Sequence, residues 1–188
     1  MHEHFSPQQS LQLIQSMIDK TRANISENRF YFLLWGWLTL SAILGQFLLK
    51  VVFLYRHHYL VYLVTIPALF LTIRHARQKG RRPYRTYIGH SMSNLWTGIG
   101  ISFFVLVFII SAGNGWRHGW PFMILMYGLG TFISGKILQF KPLVVGGIIN
   151  WLLACACVFV PYDYQILLAA AAIVCSYIIP GYMIRSNR

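Results

Sequence analysis

Acidic residues are almost absent from this sequence. Only four of its 188 residues are Asp or Glu, and charged residues of both signs make up 11%, whereas a soluble domain carries about 25%. Hydrophobic residues make up 56%, so the chain has too little polar surface to cover itself in water. This composition excludes a soluble enzyme, a disulfide scaffold and a disordered tail. It predicts a polytopic membrane protein.

The position of the four acids also excludes several kinds of chemistry inside a membrane. Glu3, Asp19 and Glu27 precede the first long apolar run, and Asp163 lies in a short turn between two later runs. Proton pumps, ion-coupled transporters and intramembrane aspartyl proteases place ionisable groups near the midplane. The seven His residues lie in the N-terminal tail or near the ends of apolar runs, and no G-x-S-x-G motif is present. We therefore expect no catalytic residue, no cofactor, no metal ligand and no enzymatic activity.

Six long apolar runs predict six transmembrane helices, because their hydrophobic residues are continuous and not alternating. The second run is the weakest: residues 59–73 extend only about 22 Å as a helix, so a re-entrant segment is its alternative. The sequence thus predicts an all-α, six-helix transmembrane domain over residues 29–188. The predicted spans cover about residues 30–50, 57–73, 91–112, 121–138, 142–160 and 166–184.

The first 28 residues are predicted to form a cytoplasmic amphipathic helix. Leu11, Ile14, Ile18, Thr21 and Ile25 recur every three or four residues and share one helical face. Such a helix lies on the membrane or covers its own bundle in one interpretation. In the other, it binds a protein partner or a second copy of the chain.

The distribution of Lys and Arg fixes the predicted orientation, since cytoplasmic loops collect positive charge. With six spans, one face of the membrane holds 13 of the 16 basic residues, and the other holds only Lys50, Arg56 and Arg117. Both termini are therefore predicted to be cytoplasmic.

A basic loop between the second and third spans is the strongest local charge feature. Anionic lipid headgroups on the cytoplasmic surface attract such clusters, by about 1 kcal/mol per basic residue. The loop is predicted to contact acidic lipids or a partner, and its alternative is that it serves only to orient the spans. It is too short and too close to the membrane for nucleic acid. Its basic residues are Arg74, Arg77, Lys79, Arg81, Arg82 and Arg85.

Small and polar residues at four-residue spacing predict close contacts between helices. Gly98 precedes Ser102 by four residues, and Gly146 precedes Asn150 by the same interval. The residues predicted to mediate helix packing are Gly98, Gly128, Gly135, Gly146 and Asn150.

The stretch from Met126 to Trp151 resembles a group of small six-helix bacterial inner-membrane proteins. The residues that carry the resemblance are the runs 126–131 (MYGLGT) and 140–143 (FKPL), the pairs 135–136 (GK) and 146–147 (GG), and Trp151. The resemblance extends over the whole chain and implies a location in the bacterial inner membrane. That group has no settled activity, so no functional residue is transferred from it.

Two functions are favoured by the sequence, and a third hypothesis is an enzyme that acts on lipid at the inner interface, with His90 and the basic loop as its only candidates. The first is a non-enzymatic membrane protein that acts through partners or self-association, as a subunit or regulator of a membrane process. The second is a small transporter or channel for a neutral or anionic solute. Prolines interrupt the second and sixth spans, and interrupted helices are typical of transporter binding sites.

Overall fold

A computed structural model describes residues 29–79, 87–113, 115 and 118–184, and all regular structure within these ranges is helical. The protein is therefore all-α, as the sequence predicts. The predicted N-terminal amphipathic helix falls outside the described residues. The six helices are α1 (Arg29–Val52), α2 (Thr65–Lys79), α3 (Tyr87–Ala112), α4 (Gly119–Ile137), α5 (Lys141–Cys157) and α6 (Tyr162–Met183).

Three of the six helices, α1, α3 and α6, are long and apolar enough to cross a membrane. Their length and composition indicate a membrane protein with three candidate spans. The other three are shorter or less apolar: α2 has 15 residues, α4 has 19 and α5 has 17.

The second predicted span, 57–73, is not one continuous α-helix. Its first half is a 3₁₀ helix, His58–Val64, and α2 follows directly and continues to Lys79. Pro67 lies in the first turn of α2, where its missing N–H costs no hydrogen bond and its fixed φ favours the start of a helix. The α-helix therefore begins late in this segment and extends beyond the predicted end.

Helices α4 and α5 form an antiparallel hairpin whose backbones lie in direct contact. A Cβ added to Gly147 would lie 2.8 Å from the backbone nitrogen of Phe132 and 2.9 Å from the carbonyl oxygen of Gly128. A Cβ on Gly135 would lie 2.6 Å from the nitrogen of Val144. Glycine is therefore required along this seam, because any side chain would push the two helices apart.

Helix α6 packs against this hairpin and is widened by one π-helical turn, Val174–Ile178. The widened turn faces Gly146, whose added Cβ would lie only 2.8 Å from the Cys175 carbonyl oxygen. Within this turn the Tyr177 ring meets aromatic rings from three other helices at centroid distances of 5.6–5.8 Å. These rings belong to Phe32, Trp96 and Tyr127. Tyr177 thus ties α1, α3 and α4 to α6.

Candidate functional site

Helix α3 is the least buried of the three candidate spans. Only 11% of its most apolar window is buried, against 33% in α1 and 56% in α6. Small and polar residues follow the exposed side at four-residue spacing, namely Asn94, Gly98 and Ser102. We call these three residues the α3 face.

The two glycines near the middle of α3 are free of neighbours in the described part of the chain. A Cβ on Gly98 or on Gly100 would meet nothing within 4 Å. Residues two apart on a helix point to nearly opposite sides, so both sides of α3 are open here. Only Gly98 belongs to a small-xxx-small pair, with Ser102, whose hydroxyl donates a hydrogen bond to the Gly98 carbonyl oxygen at 2.9 Å.

The structure brings four of the five predicted packing residues together and leaves Gly98 apart from them. Gly128, Gly135, Gly146 and Asn150 all lie in the contacts among α4, α5 and α6. Gly98 makes no such contact with the described residues, although its spacing to Ser102 matches that of Gly146 to Asn150. Sequence spacing does not distinguish a face that packs inside the bundle from one that points outward.

Gly147 is a packing residue that the sequence reasoning missed. Its backbone approaches α4 as closely as that of the predicted glycines. The adjacent pair Gly146–Gly147 was the available signal, because two neighbouring glycines let one helix contact two partners. Gly146 faces α6 and Gly147 faces α4.

A second feature is a set of polar side chains sealed inside the bundle. Asn150 on α5 has no exposed surface, and neither its amide nitrogen nor its amide oxygen has a hydrogen-bond partner among the described residues. The Ser134 hydroxyl on α4 is also fully buried without such a partner. Buried polar groups are usually satisfied by protein or bound water, so these two side chains require an explanation.

A hydrogen-bonded network joins α1 to the 3₁₀ helix. The Tyr62 hydroxyl donates to Gln46 Oε1 at 2.7 Å. On the other side of the same amide, Gln46 Nε2 lies 3.4 Å from His58 Nδ1.

Lys50 follows Gln46 by four residues on α1. Lys50 itself forms an ion pair with Asp163 and lies 3.9 Å from the centroid of the Tyr162 ring. The ends of α1 and α6 and the 3₁₀ helix are thus held together by one polar network. Asp163 is the only acid in the described part of the chain, and this network uses it.

The residues of the basic loop are only partly described. Arg74 and Arg77 are exposed on α2. Lys79 is the last residue of α2, and its side chain is outside the described set. Arg81, Arg82 and Arg85 lie outside the described residues altogether. Within the described ranges, no group of three or more His, Cys, Asp or Glu is placed to hold a metal ion.

Comparison with known proteins gives no further guide to the site, because no family model, no curated protein and no solved structure matches this chain. The resemblance to small bacterial inner-membrane proteins stays a prediction.

Proposed function

We propose that this chain is a non-enzymatic integral membrane protein that acts by associating with another membrane protein, as a subunit or regulator of a membrane process. A second copy of the chain, docking on the α3 face, is the partner that we put to the test. The observation that carries the proposal is the low burial of α3 compared with α1 and α6.

Lipid contact alone is a poor explanation of the α3 face. Lipid tails and a neighbouring helix favour large apolar side chains equally. An exposed apolar residue therefore does not distinguish contact with lipid from contact with a protein. The exposed Asn94, Gly98 and Ser102 are different. The Asn94 amide needs hydrogen-bond partners when hydrocarbon surrounds it. Small residues such as Gly98 and Ser102 let the backbone of a second helix come close.

Along the α4–α5 seam, glycines contact the backbone of a neighbouring helix. There, the space for a Cβ is occupied by backbone atoms of the neighbouring helix at 2.6–2.9 Å. At Gly98 the same space is open. A two-fold axis would bring two copies of the α3 face together as one self-complementary surface.

We also propose that α2, α4 and α5 cross the membrane with the three long helices, giving six spans with both termini in the cytoplasm of a bacterial cell. At 1.5 Å per residue, α4 and α5 are about 28 and 26 Å long, close to the hydrocarbon thickness of about 30 Å. Lys136 and Lys141 flank the connection between them, as the expected charge bias requires.

The experiment uses two matched glycine variants and single-molecule photobleaching of the labelled protein in liposomes over a range of protein-to-lipid ratios. Because neither glycine has a neighbour within 4 Å, both Gly98→Leu and Gly100→Leu should fold. A leucine within a tightly packed helix contact costs about 1–3 kcal/mol. We expect the wild type to be dimeric. The Gly98→Leu variant should dissociate to monomers at protein-to-lipid ratios roughly five- to a hundredfold higher than the wild type does. The Gly100→Leu variant should behave as the wild type.

A wild type that is monomeric at every ratio would refute self-association. Equal dissociation of the two leucine variants would show that the α3 face is not the contact.

A second candidate function, a small transporter or channel for a neutral or anionic solute, is favoured by Asn150 and Ser134. Their buried, unpartnered polar atoms offer hydrogen bonds to a small polar guest. The test is solute efflux from liposomes containing the protein, comparing Asn150→Leu with Leu152→Ala on the exposed side of the same helix. A transporter loses flux only in the Asn150 variant. Absence of flux in the wild type for neutral and anionic solutes contradicts the candidate.

A further inference from the structure

An apolar groove runs along one side of α1. Its volume is about 450 Å³. The lining residues recur at helical spacing over twelve positions, so the groove is about 17 Å long. They are Phe30, Leu33, Leu34, Trp37, Leu38 and Ser41. Phe30 and Trp37 are about half exposed, so the groove is open along one side.

All six lining residues belong to α1, and two of them contact other helices. The Trp37 indole nitrogen donates a hydrogen bond to the Tyr182 hydroxyl of α6 at 3.2 Å. The Phe30 ring lies against His75 of α2, with centroids 4.6 Å apart. Contacts with α6 and α2 thus hold two of the lining side chains in place.

Positive charge collects at the Phe30 end of the groove. Arg29 precedes Phe30 directly, and its Nε is buried without a hydrogen-bond partner among the described residues. Arg74 is exposed on α2, next to the His75 that contacts Phe30. The one described acid, Asp163, lies at the other end of α1, where it pairs with Lys50. This end of the groove thus has cations and no described anion to neutralise them.

We propose that the groove binds one acidic phospholipid, with an acyl chain along α1 and its phosphate between Arg29 and Arg74. The length and apolar lining suit an acyl chain, and the charged end suits an anionic headgroup. Aromatic residues with a polar edge, such as Trp37 and Tyr182, are favoured near the membrane interface. This inference concerns a different surface from the α3 contact and does not depend on it.

The test is native mass spectrometry of the full chain released from nanodiscs that contain equal amounts of phosphatidylglycerol and phosphatidylcholine. We expect the wild type to retain one phosphatidylglycerol in preference to phosphatidylcholine. Each cation near an anionic lipid favours it about fivefold, so Arg29→Gln should lower this preference by about fivefold. Leu34→Trp fills the groove and should remove the retained lipid of either type.

Two matched controls separate the groove from general lipid contact. Arg56→Gln removes an exposed cation near the opposite end of α1, and Leu63→Trp enlarges an exposed apolar side chain outside the groove. Both controls should retain phosphatidylglycerol as the wild type does. The proposal is overturned if the wild type retains the two lipids equally, or if Arg29→Gln and Leu34→Trp behave as their controls. Circular dichroism of each variant establishes that the helices are intact.

Discussion

The close contact between α4 and α5 allows a quantitative prediction of how a substitution at Gly147 changes the free energy of unfolding. The change is Gly147→Ala, which adds a single methyl group. That methyl would lie within 2.9 Å of three atoms of α4, namely the Cβ and the nitrogen of Phe132 and the carbonyl oxygen of Gly128. Two of the three are backbone atoms, so no side-chain rotation relieves the clash.

The cost follows from the distance by which the helices must separate. Ordinary contacts of a Cβ begin at 3.4 Å, so α4 and α5 must separate by about 0.5–0.7 Å. A gap of that size forfeits a quarter to a half of the van der Waals attraction at each contact, and overpacking costs about 1–3 kcal/mol. Alanine recovers about 1 kcal/mol of helix propensity. We expect the free energy of unfolding to fall by about 1 kcal/mol, within a range of about 0–2 kcal/mol.

Gly100→Ala is the matched control, since its methyl meets nothing within 4 Å and Gly100 lies outside the α3 face. It should be neutral or stabilise the monomer by up to about 1 kcal/mol. The free energies of unfolding of the two variants then differ by about 2 kcal/mol, which is about thirtyfold in the folding equilibrium. The assay is reversible unfolding in mixed detergent–SDS micelles, followed by tryptophan fluorescence. Equal stability of the two variants would refute the close contact of α4 with α5.

Two further predictions use the same unfolding assay. Asp163→Asn should lower the free energy of unfolding by only about 0–1 kcal/mol, because the Asp163 side chain is 53% exposed. A loss above about 3 kcal/mol would show that the ion pair with Lys50 is more than a surface contact. Asn150→Leu should raise the free energy of unfolding by about 1–2 kcal/mol, since it removes two buried, unpartnered polar atoms. A strong fall in the free energy of unfolding would show that the Asn150 amide is hydrogen-bonded in the folded protein.

Hydropathy predicted the helical class, and it located α1, α3 and α6 well because long lipid-crossing helices are apolar along their length. It was less accurate at the second span, where it predicted one helix over 57–73. The apolar run there contains a 3₁₀ helix and an α-helix in succession. Hydrophobic periodicity records burial in lipid but not the hydrogen-bonding pattern of the backbone.

The site was predictable only in part, since it depends on contacts between residues far apart in the chain. Gly98 and Gly146 have the same local spacing to a small or polar residue, yet one is open and the other touches α6. Lys50 and Asp163 are 113 residues apart, and no local pattern indicates their pairing. The π-helical turn opposite Gly146 also has no signature in composition.

The most direct test of association through α3 is disulfide cross-linking in intact membranes. In a chain whose three native cysteines are replaced by alanine, a single cysteine is introduced as Gly98→Cys or, in parallel, as Gly100→Cys. A disulfide forms only where two Cα atoms approach within about 7 Å. If two copies meet at the α3 face, oxidation converts the Gly98→Cys protein to a covalent dimer and leaves the Gly100→Cys protein monomeric. A Gly98→Cys protein that stays monomeric, or dimers formed equally by both variants, would contradict association through this face.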